Sequence, residues 1–583
     1  MMSKGVNTGI MFVFLILTLA LTHPIFRDID NIGARDWDTV EQHSEAARIS
    51  LLEYHQPPLW NPWMNGGVPL LADPTSDILT PLYLLNIVFG TIYGLKLQIV
   101  AWYMVGFAGT YVLCRLLGLP EVSSMIGAAT FMLSSYHSLH WTSGHYGFCA
   151  VAALIPWMFY FHIKAKNKPV NAVFAGIALA MGIFAGGMHI LLLVMTGLFF
   201  YAVATRSLRV FVTSVVSCAL FSAVKLLPAV EYLSEFPRQM RPLWCQGLGM
   251  WWGYSLEHLY YGLVGSYQLS GVWYTNFHSS IWDEYGVYIG PIGLILALAG
   301  ILWRWRQNRG LLVFGLLGLS IAVGTDQANN PIWTVLQNLP VYSSLRVPSR
   351  WMLLALFALS VFAAYGASLL EAKKKKILVS LVFLALAADM IRVDYLPFTE
   401  AFVLKPILME KGPFIQVAST LHPGMIYGQV YQLTLANIGD INHKNSLRAL
   451  SCGAKNAVPY GFIPQYTFLM NRSELLLNGI YRGEAYLNYR GEASFTYWSP
   501  NRILVNVSTK NPNSLIINQN YDKGWMGSNY SRSILWREVP AGDSTVTFTY
   551  LPVSFVIGSL ISVLSALVLY VHLRKKRPKH RKR

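Results

Sequence analysis

The chain is short of charge, shorter still of acid, and almost without cysteine. Of its 583 residues 13% are charged, with 28 Asp plus Glu against 45 Lys plus Arg. A soluble globular domain carries about a quarter charged residues, so this composition excludes an ordinary cytosolic enzyme. The five cysteines, Cys114, Cys149, Cys218, Cys245 and Cys452, are scattered, lack metal-type spacing and mostly lie in apolar segments. They provide no disulfide framework and little basis for redox chemistry. There is no internal repeat, and the basic tail is the single low-complexity stretch.

What is plentiful is apolar surface, at 54% hydrophobic residues, the composition of a polytopic membrane protein. Segments able to cross a hydrocarbon core of about 30 Å lie near 9–26, 97–117, 122–141, 146–163, 170–188, 190–205, 208–228, 285–303, 310–324, 349–370, 377–392 and 553–572, about twelve in all. The net charge of +17 would suit nucleic acid, but its carriers sit in short runs beside these segments. If Lys4 is cytoplasmic and the weaker apolar stretch 78–93 does not cross, Arg115, "KAKNK" at 164–168, Arg206, Arg209, "RWRQNR" at 304–309, "KKKK" at 373–376 and the tail "RKKRPKHRKR" share one side. That is the positive-inside pattern. The charge therefore reads as topology, with both termini cytoplasmic and no nucleic-acid partner. The first apolar segment runs into charged residues without a small-residue cleavage site and is expected to remain as an anchor.

This orientation leaves residues 27–96, 229–284 and 393–552 on the outer face. The fold expected is a polytopic α-helical membrane protein: a transmembrane module over 1–392, an extracytoplasmic domain over 393–552, and a final span with a basic tail over 553–583. Alternation in "RILVNVSTK", "SLIINQNY" and "STVTFTYLP", punctuated by "NPN", "DKGW" and "AGD", predicts a β-sandwich in the later half of the extracytoplasmic domain. The earlier half, roughly 393–490, shows mixed patterns and no assignable fold.

Candidate chemistry starts at "GARDWDTVEQ", residues 33–42, where Asp36 and Asp38 flank a tryptophan at the outer surface. "DTVE" has the form of a helix cap at Asp38 with Glu41 three residues on, and Val40, Ala47, Leu51 and Tyr54 fall on one face of the helix that follows. A cap explains Asp38 and leaves Asp36 unexplained.

Several stretches occur in an order that resembles the YfhO-like bacterial membrane proteins, which belong to the GT-C class of glycosyltransferases. They are "RDWD" after the first span, "PPLWNPWMNGGVPLLADP" in the first outer loop, "DEYGVYIGP" and "LRVPSRW" opening later spans, and "NYDKGW…VPAGDSTVTFTYLP" before the last. The resemblance implies an enzyme of the bacterial cytoplasmic membrane. It would take a sugar from a polyprenyl-phosphate donor and transfer it to a cell-envelope acceptor outside: a polysaccharide, a teichoic-acid-like polymer, a glycolipid or a protein. The resemblance puts the catalytic base on the first outer loop, with Asp38 favoured and Asp36 as runner-up. The two could instead share a divalent cation, Mg or Mn; no metal ligand set is fixed.

The leaving phosphate needs positive charge, and Arg346 and Arg350 in "LPVYSSLRVPSRW" lie on the outer side against the positive-inside trend. Pro348 suits the first turn of a helix and biases Val347 to extended geometry, so two guanidinium forks could meet a phosphate near a helix start. Snorkelling at the interface is the plainer alternative. Lys225 is a second outward cation with the same two readings. Glu284 and Asp283 form an acidic pair at a helix entrance, explicable by the helix dipole or by substrate binding. His145 and His189, with His137 and His140 nearby, suit substrate contacts better than a tetrahedral metal site. Trp60, Asn61 and Trp63 could meet a sugar, although Trp60 and Trp63 equally suit an aromatic interface belt. A transporter or flippase for lipid-linked sugars, with charged and broken spans, and a non-catalytic envelope scaffold are the rival readings.

Overall fold

A computed structural model describes residues 7–33, 36–62, 67–235, 259, 262–265, 282–323, 330–345, 347–372, 375–403, 484–531 and 534–575. Eleven helices run through its first part: α1 Thr8–Thr22, α2 Trp37–Leu52, α3 Leu84–Phe89, α4 Thr91–Leu116, α5 Glu121–Met132, α6 Ser135–Thr142, α7 Tyr146–Ala165, α8 Val170–Phe184, α9 Met188–Ala204, α10 Leu208–Phe221 and α11 Ala223–Glu235. Further on come the helices Gly290–Arg304, Arg309–Ala322, Met352–Ala372, Lys376–Thr399 and Val553–Lys575. The fold is mostly helical, with a β region ahead of the last helix. Among the described residues five helices are long and apolar enough to cross a membrane, or six if a pair bent by 84°, α10 with α11, forms one span; four more apolar helices have 10–17 residues. This is a multi-pass membrane protein by composition and helix length. The count of twelve stands as an expectation.

Two of the expected spans are broken. The stretch 122–141 divides at Leu133 and Ser134 into α5 and α6. The stretch 208–228 bends at Ser222 between α10 and α11. Polar residues mark both breaks, where a helix interrupted at membrane depth must find other partners for its backbone. α3 has six residues, roughly 9 Å at 1.5 Å per residue, far short of a bilayer core.

The chain divides into two compact units. One comprises Met1–Glu41, Leu79–Ser214 and Gln239–Pro406; the other comprises Gln42–Ile78, Val215–Arg238 and Ile407–Arg583. In the first, helices Gly290–Arg304 and Met352–Ala372 approach at glycines: a Cβ on Gly300 would lie 1.9 Å from Phe362 O, and one on Gly366 2.0 Å from Leu296 O. Backbones meet there because nothing larger intervenes, the usual device of helix association in lipid.

In the second unit, short strands β1 Trp60–Asn61 and β2 Val68–Pro69 pair with each other. Seven more strands, β3 Ala485–Leu487, β4 Glu492–Ser499, β5 Arg502–Thr509, β6 Asn513–Asn520, β7 Trp525–Met526, β8 Ile534–Val539 and β9 Gly542–Tyr550, form two antiparallel sheets, ordered β4-β5-β9-β7 and β3-β6-β8. β5 shows why: Ile503, Val505 and Val507 are buried while Arg502, Asn506 and Ser508 are exposed, the period-two pattern of a sheet with one buried face. Val505 pairs with Val546 on β9.

Candidate active site in the helical unit

α2 begins two residues earlier than its sequence suggests. The carbonyl of Asp36 accepts from the amides of Thr39 and Val40, at 3.2 and 3.5 Å, so Asp36 holds the N-cap place. The cap expected at Asp38 is corrected accordingly. The Glu41 carboxylate accepts from the Gly33 amide at 2.8 Å, tying the entry loop to the helix. Nor is the buried side of α2 the apolar stripe expected, because Glu41, Gln42, His43, Ser44 and Ser50 are buried along with Ala46, Ala47 and Ile49.

The entry to α2 is pinned to the turn between α6 and α7. The Asp36 amide donates to Ser143 O at 3.1 Å, and the buried Trp37 indole donates to Trp141 O at 2.7 Å while stacking on Trp141 at 12°. Gly144, at φ +79°, permits the approach: a Cβ there would lie 2.2 Å from Trp37 N. The next residue, His145, is thereby brought to Asp36, with Nε2 3.6 Å from Oδ2. Asp36 keeps 46% of its side chain exposed, so a substrate can reach it.

One turn further, Phe148 organises the rest. His145 stacks on it at 4.7 Å, His189 meets it edge-on at 4.6 Å, and the Arg350 guanidinium lies 4.5 Å from its centroid, within cation–π range. Arg350 stands in a 3-10 turn, Pro348–Trp351, after an extended Val347, as the proline predicts. Its Nε donates to Glu284 Oε2 at 2.9 Å and a terminal nitrogen donates to Oε1. Burial pushes the Glu284 carboxyl up, but the charge and hydrogen bonds of Arg350, helped by His145 and His140, outweigh it and hold the pKa at about 2. The arginine thus favours the ionised form of the carboxyl.

Of the predicted site residues, Asp36, His145, His189, Glu284 and Arg350 share this neighbourhood. The side chains of Asp38 and Asp283, and the whole of Arg346 and Trp63, fall outside the described residues. Of the double fork expected of Arg346 and Arg350, only Arg350 lies among the described residues; its fork holds Glu284, so a phosphate arriving there must share it. Among the described residues no three His, Cys, Asp or Glu side chains converge as metal ligands.

Three predicted residues belong to the other unit and do different work. Trp60 is fully buried against Trp525 and Tyr550, at 5.4 and 4.8 Å, and donates from its indole to Gln519 at 3.0 Å. Its backbone amide donates to Asn501 Oδ1 at 3.2 Å. Asn61 is buried beside it. A ring so enclosed packs the hairpin onto the sheets and offers no surface to a sugar, which corrects the sugar-stacking expectation. Lys225 is also buried rather than snorkelling, and its ammonium donates to Ser76 O. The acids Asp73 and Asp77 act on it, surroundings that suit a structural cation and repel a phosphate.

No family profile and no curated protein matches the chain. Among solved structures, it is similar to ArnT from Cupriavidus metallidurans bound to undecaprenyl phosphate, at 12% identity and a TM-score of 0.42, over 83% of this chain and 97% of that one. It is also similar to an Archaeoglobus fulgidus oligosaccharyltransferase complexed with zinc and sulfate, at 11% identity and 0.35, over 67% and 53%. The arabinofuranosyltransferase AftD from Mycobacteria gives 15% and 0.37, over 66% and 28%. This chain thus spans about half the length of the oligosaccharyltransferase it matches. At such TM-scores the overlaps are coarse, and the functional reading rests on the chain's own residues.

The residue that sequence reasoning passed over is Phe148, whose ring gathers the site; the contact between His140 and His145 is what the pairing of those histidines in sequence left unstated. The signal was present in "HWTSGHYGF", where a glycine one residue before a histidine marks a turn that returns His145 to His140.

Proposed function

We propose that this protein is a GT-C-type membrane glycosyltransferase that moves a sugar from a polyprenyl-phosphate donor to an acceptor on the outer side of the bacterial cytoplasmic membrane. The observation that carries the reading is the meeting of a half-exposed carboxylate, Asp36, with His145 3.6 Å away beside a ring that also carries Arg350. Asp36 takes the proton of the acceptor hydroxyl as its oxygen attacks the anomeric carbon, and the phosphate departs with the bonding electron pair. Arg350 meets the charge growing on that phosphate, exchanging part of its hold on Glu284. A carboxylate of ordinary acidity is a weak base toward a sugar hydroxyl, so positioning and a good leaving group do most of the catalysis. The acceptor is an envelope polymer, glycolipid or protein.

A second reading, a flippase for the lipid-linked sugar, is favoured by one feature: Lys225 just beyond an 84° break in an apolar helix pair, the pattern of discontinuous transporter helices. Mass spectrometry of surface polymers, envelope glycolipids and lipid-linked intermediates, with and without the gene and after oxidation of outer-leaflet sugars by a membrane-impermeant reagent, separates the two. A transferase leaves the acceptor short of one sugar with the lipid-linked sugar accumulating on the outer leaflet, whereas a flippase leaves it on the inner leaflet.

A further inference from the structure

The two histidines behind Asp36 form a chain with a definite direction. His145 Nδ1 lies 2.8 Å from His140 Nδ1, a hydrogen-bond distance between two ring nitrogens. His140 is held for this contact: it is buried in α6, set edge-on to Tyr136 at 4.3 Å, and its carbonyl accepts from the His145 amide at 2.9 Å. The charged and titratable groups acting on it are His145, Glu284, Arg350 and His137.

Two neutral tautomer arrangements satisfy that bond. If His145 donates from Nδ1, its Nε2 is a bare lone pair, and at 3.6 Å it faces the Asp36 carboxylate, acceptor against acceptor. If His140 donates from Nδ1, His145 accepts there and carries its hydrogen on Nε2, so that an N–H dipole points to the carboxylate. Only the second is attractive along its whole length. The hydrogen bond on one imidazole nitrogen sets what the other presents. We propose that His140 and His145 are positioning residues for Asp36, with His140 fixing His145 as the Nε2–H tautomer and His145 thereby holding the Asp36 carboxylate in its aim. The proposal rests on Asp36 as the base of the proposed transfer, yet the tautomers are a property of the resting protein.

The test joins a spectroscopic arm to an activity arm. In full-length protein labelled with [15N]histidine in lipid nanodiscs, His145 is expected to show a protonated Nε2 and an unprotonated Nδ1, with His140 protonated at Nδ1. His140→Phe should release His145 into a mixture of tautomers and lower sugar transfer about ten-fold, as loss of a hydrogen bond of order 1.4 kcal/mol predicts. His140→Asn, whose amide can donate from the place of Nδ1, should restore both. A resting His145 protonated at Nδ1, or His140→Phe and His140→Asn that transfer equally well, overturns the proposal. Correct tautomers in a protein whose wild type transfers no sugar uphold the histidine arrangement and reject the transferase reading instead.

Discussion

Each unit of the protein holds a cation, carboxylates and a histidine close together, and the two clusters are built to opposite ends. In the second unit Lys225 is wholly buried, as is Asp77, whose Oδ1 lies 3.5 Å from Ser44 Oγ while Oδ2 has no hydrogen-bond partner among the described residues. His43, also buried, stands 4.0 Å from Asp73. In the first unit Arg350 and Glu284 are matched by a bidentate pair, and the remaining carboxylate, Asp36, is half open to solvent. A closed cluster spends its charges on one another and holds the backbone at a helix break. An open one keeps a charge available to a substrate. The difference lies in exposure and in which groups are paired, since the residue types are nearly the same.

Four substitutions sharpen or break that contrast. The largest effect is expected at Asp36→Asn, which should lower transfer on the order of 10²- to 10⁴-fold with the protein still folded, because Asn caps a helix about as well as Asp. Thermal unfolding in detergent checks the second half of that statement. Lys225→Met should act on stability instead, costing about 3–5 kcal/mol by leaving a buried acid without its counter-charge; a stable Lys225→Met protein that binds donor poorly would turn the closed cluster into a binding site.

Asp77 supplies a pH test. Burial pushes its carboxyl up, its own backbone hydrogen bond, Lys225 and Ser44 only partly oppose this, and the pKa reaches about 6 from 3.8. A carboxyl raised in the folded state contributes fully below its unfolded pKa, and that contribution is lost as pH climbs through the folded one. Wild type and Asp77→Asn should therefore match near pH 4, and the variant should gain on wild type up to pH 7, by about 3 kcal/mol at most for a shift of two units. Denaturation midpoints that stay parallel across that window would place the titration elsewhere. The smallest effect is expected at Arg350→Lys, which keeps a charge for Glu284 but loses the planar fork and should weaken undecaprenyl phosphate binding about ten-fold, the value of one charge-assisted bond. Unchanged binding would leave Arg350 as the structural partner of Glu284.

Much of the fold was legible because membrane spans and strands announce themselves locally: an apolar run such as 349–370 needs only length, and β5 needs only alternation. The breaks at Ser134 and Ser222 were not legible, since a hydropathy window averages over two residues and a polar break costs little when the backbone finds partners elsewhere. At the site, Asp36, Glu284 and Arg350 were visible as polar residues at the ends of expected spans. Their pairing was hidden, because Glu284 and Arg350 are 66 positions apart and no spacing rule links them. Trp60 misled for a physical reason: an indole that stacks on sugar and one that stacks on Trp525 and Tyr550 look alike in sequence, and burial alone separates them. Asp38 took the cap assignment because "DTVE" fits the capping rule; the rule has no knowledge of Gly144, whose missing side chain lets the chain turn into the helix at Asp36.

The central claim is that Asp36 acts as the base of an outward-facing sugar transfer. Its most direct test is mass spectrometry of surface polymers and glycolipids from cells lacking the gene, complemented with the wild-type protein or with Asp36→Asn at equal membrane levels. The account predicts that the wild type restores a missing sugar and the variant does not; a variant that restores the sugar as fully as the wild type would contradict it.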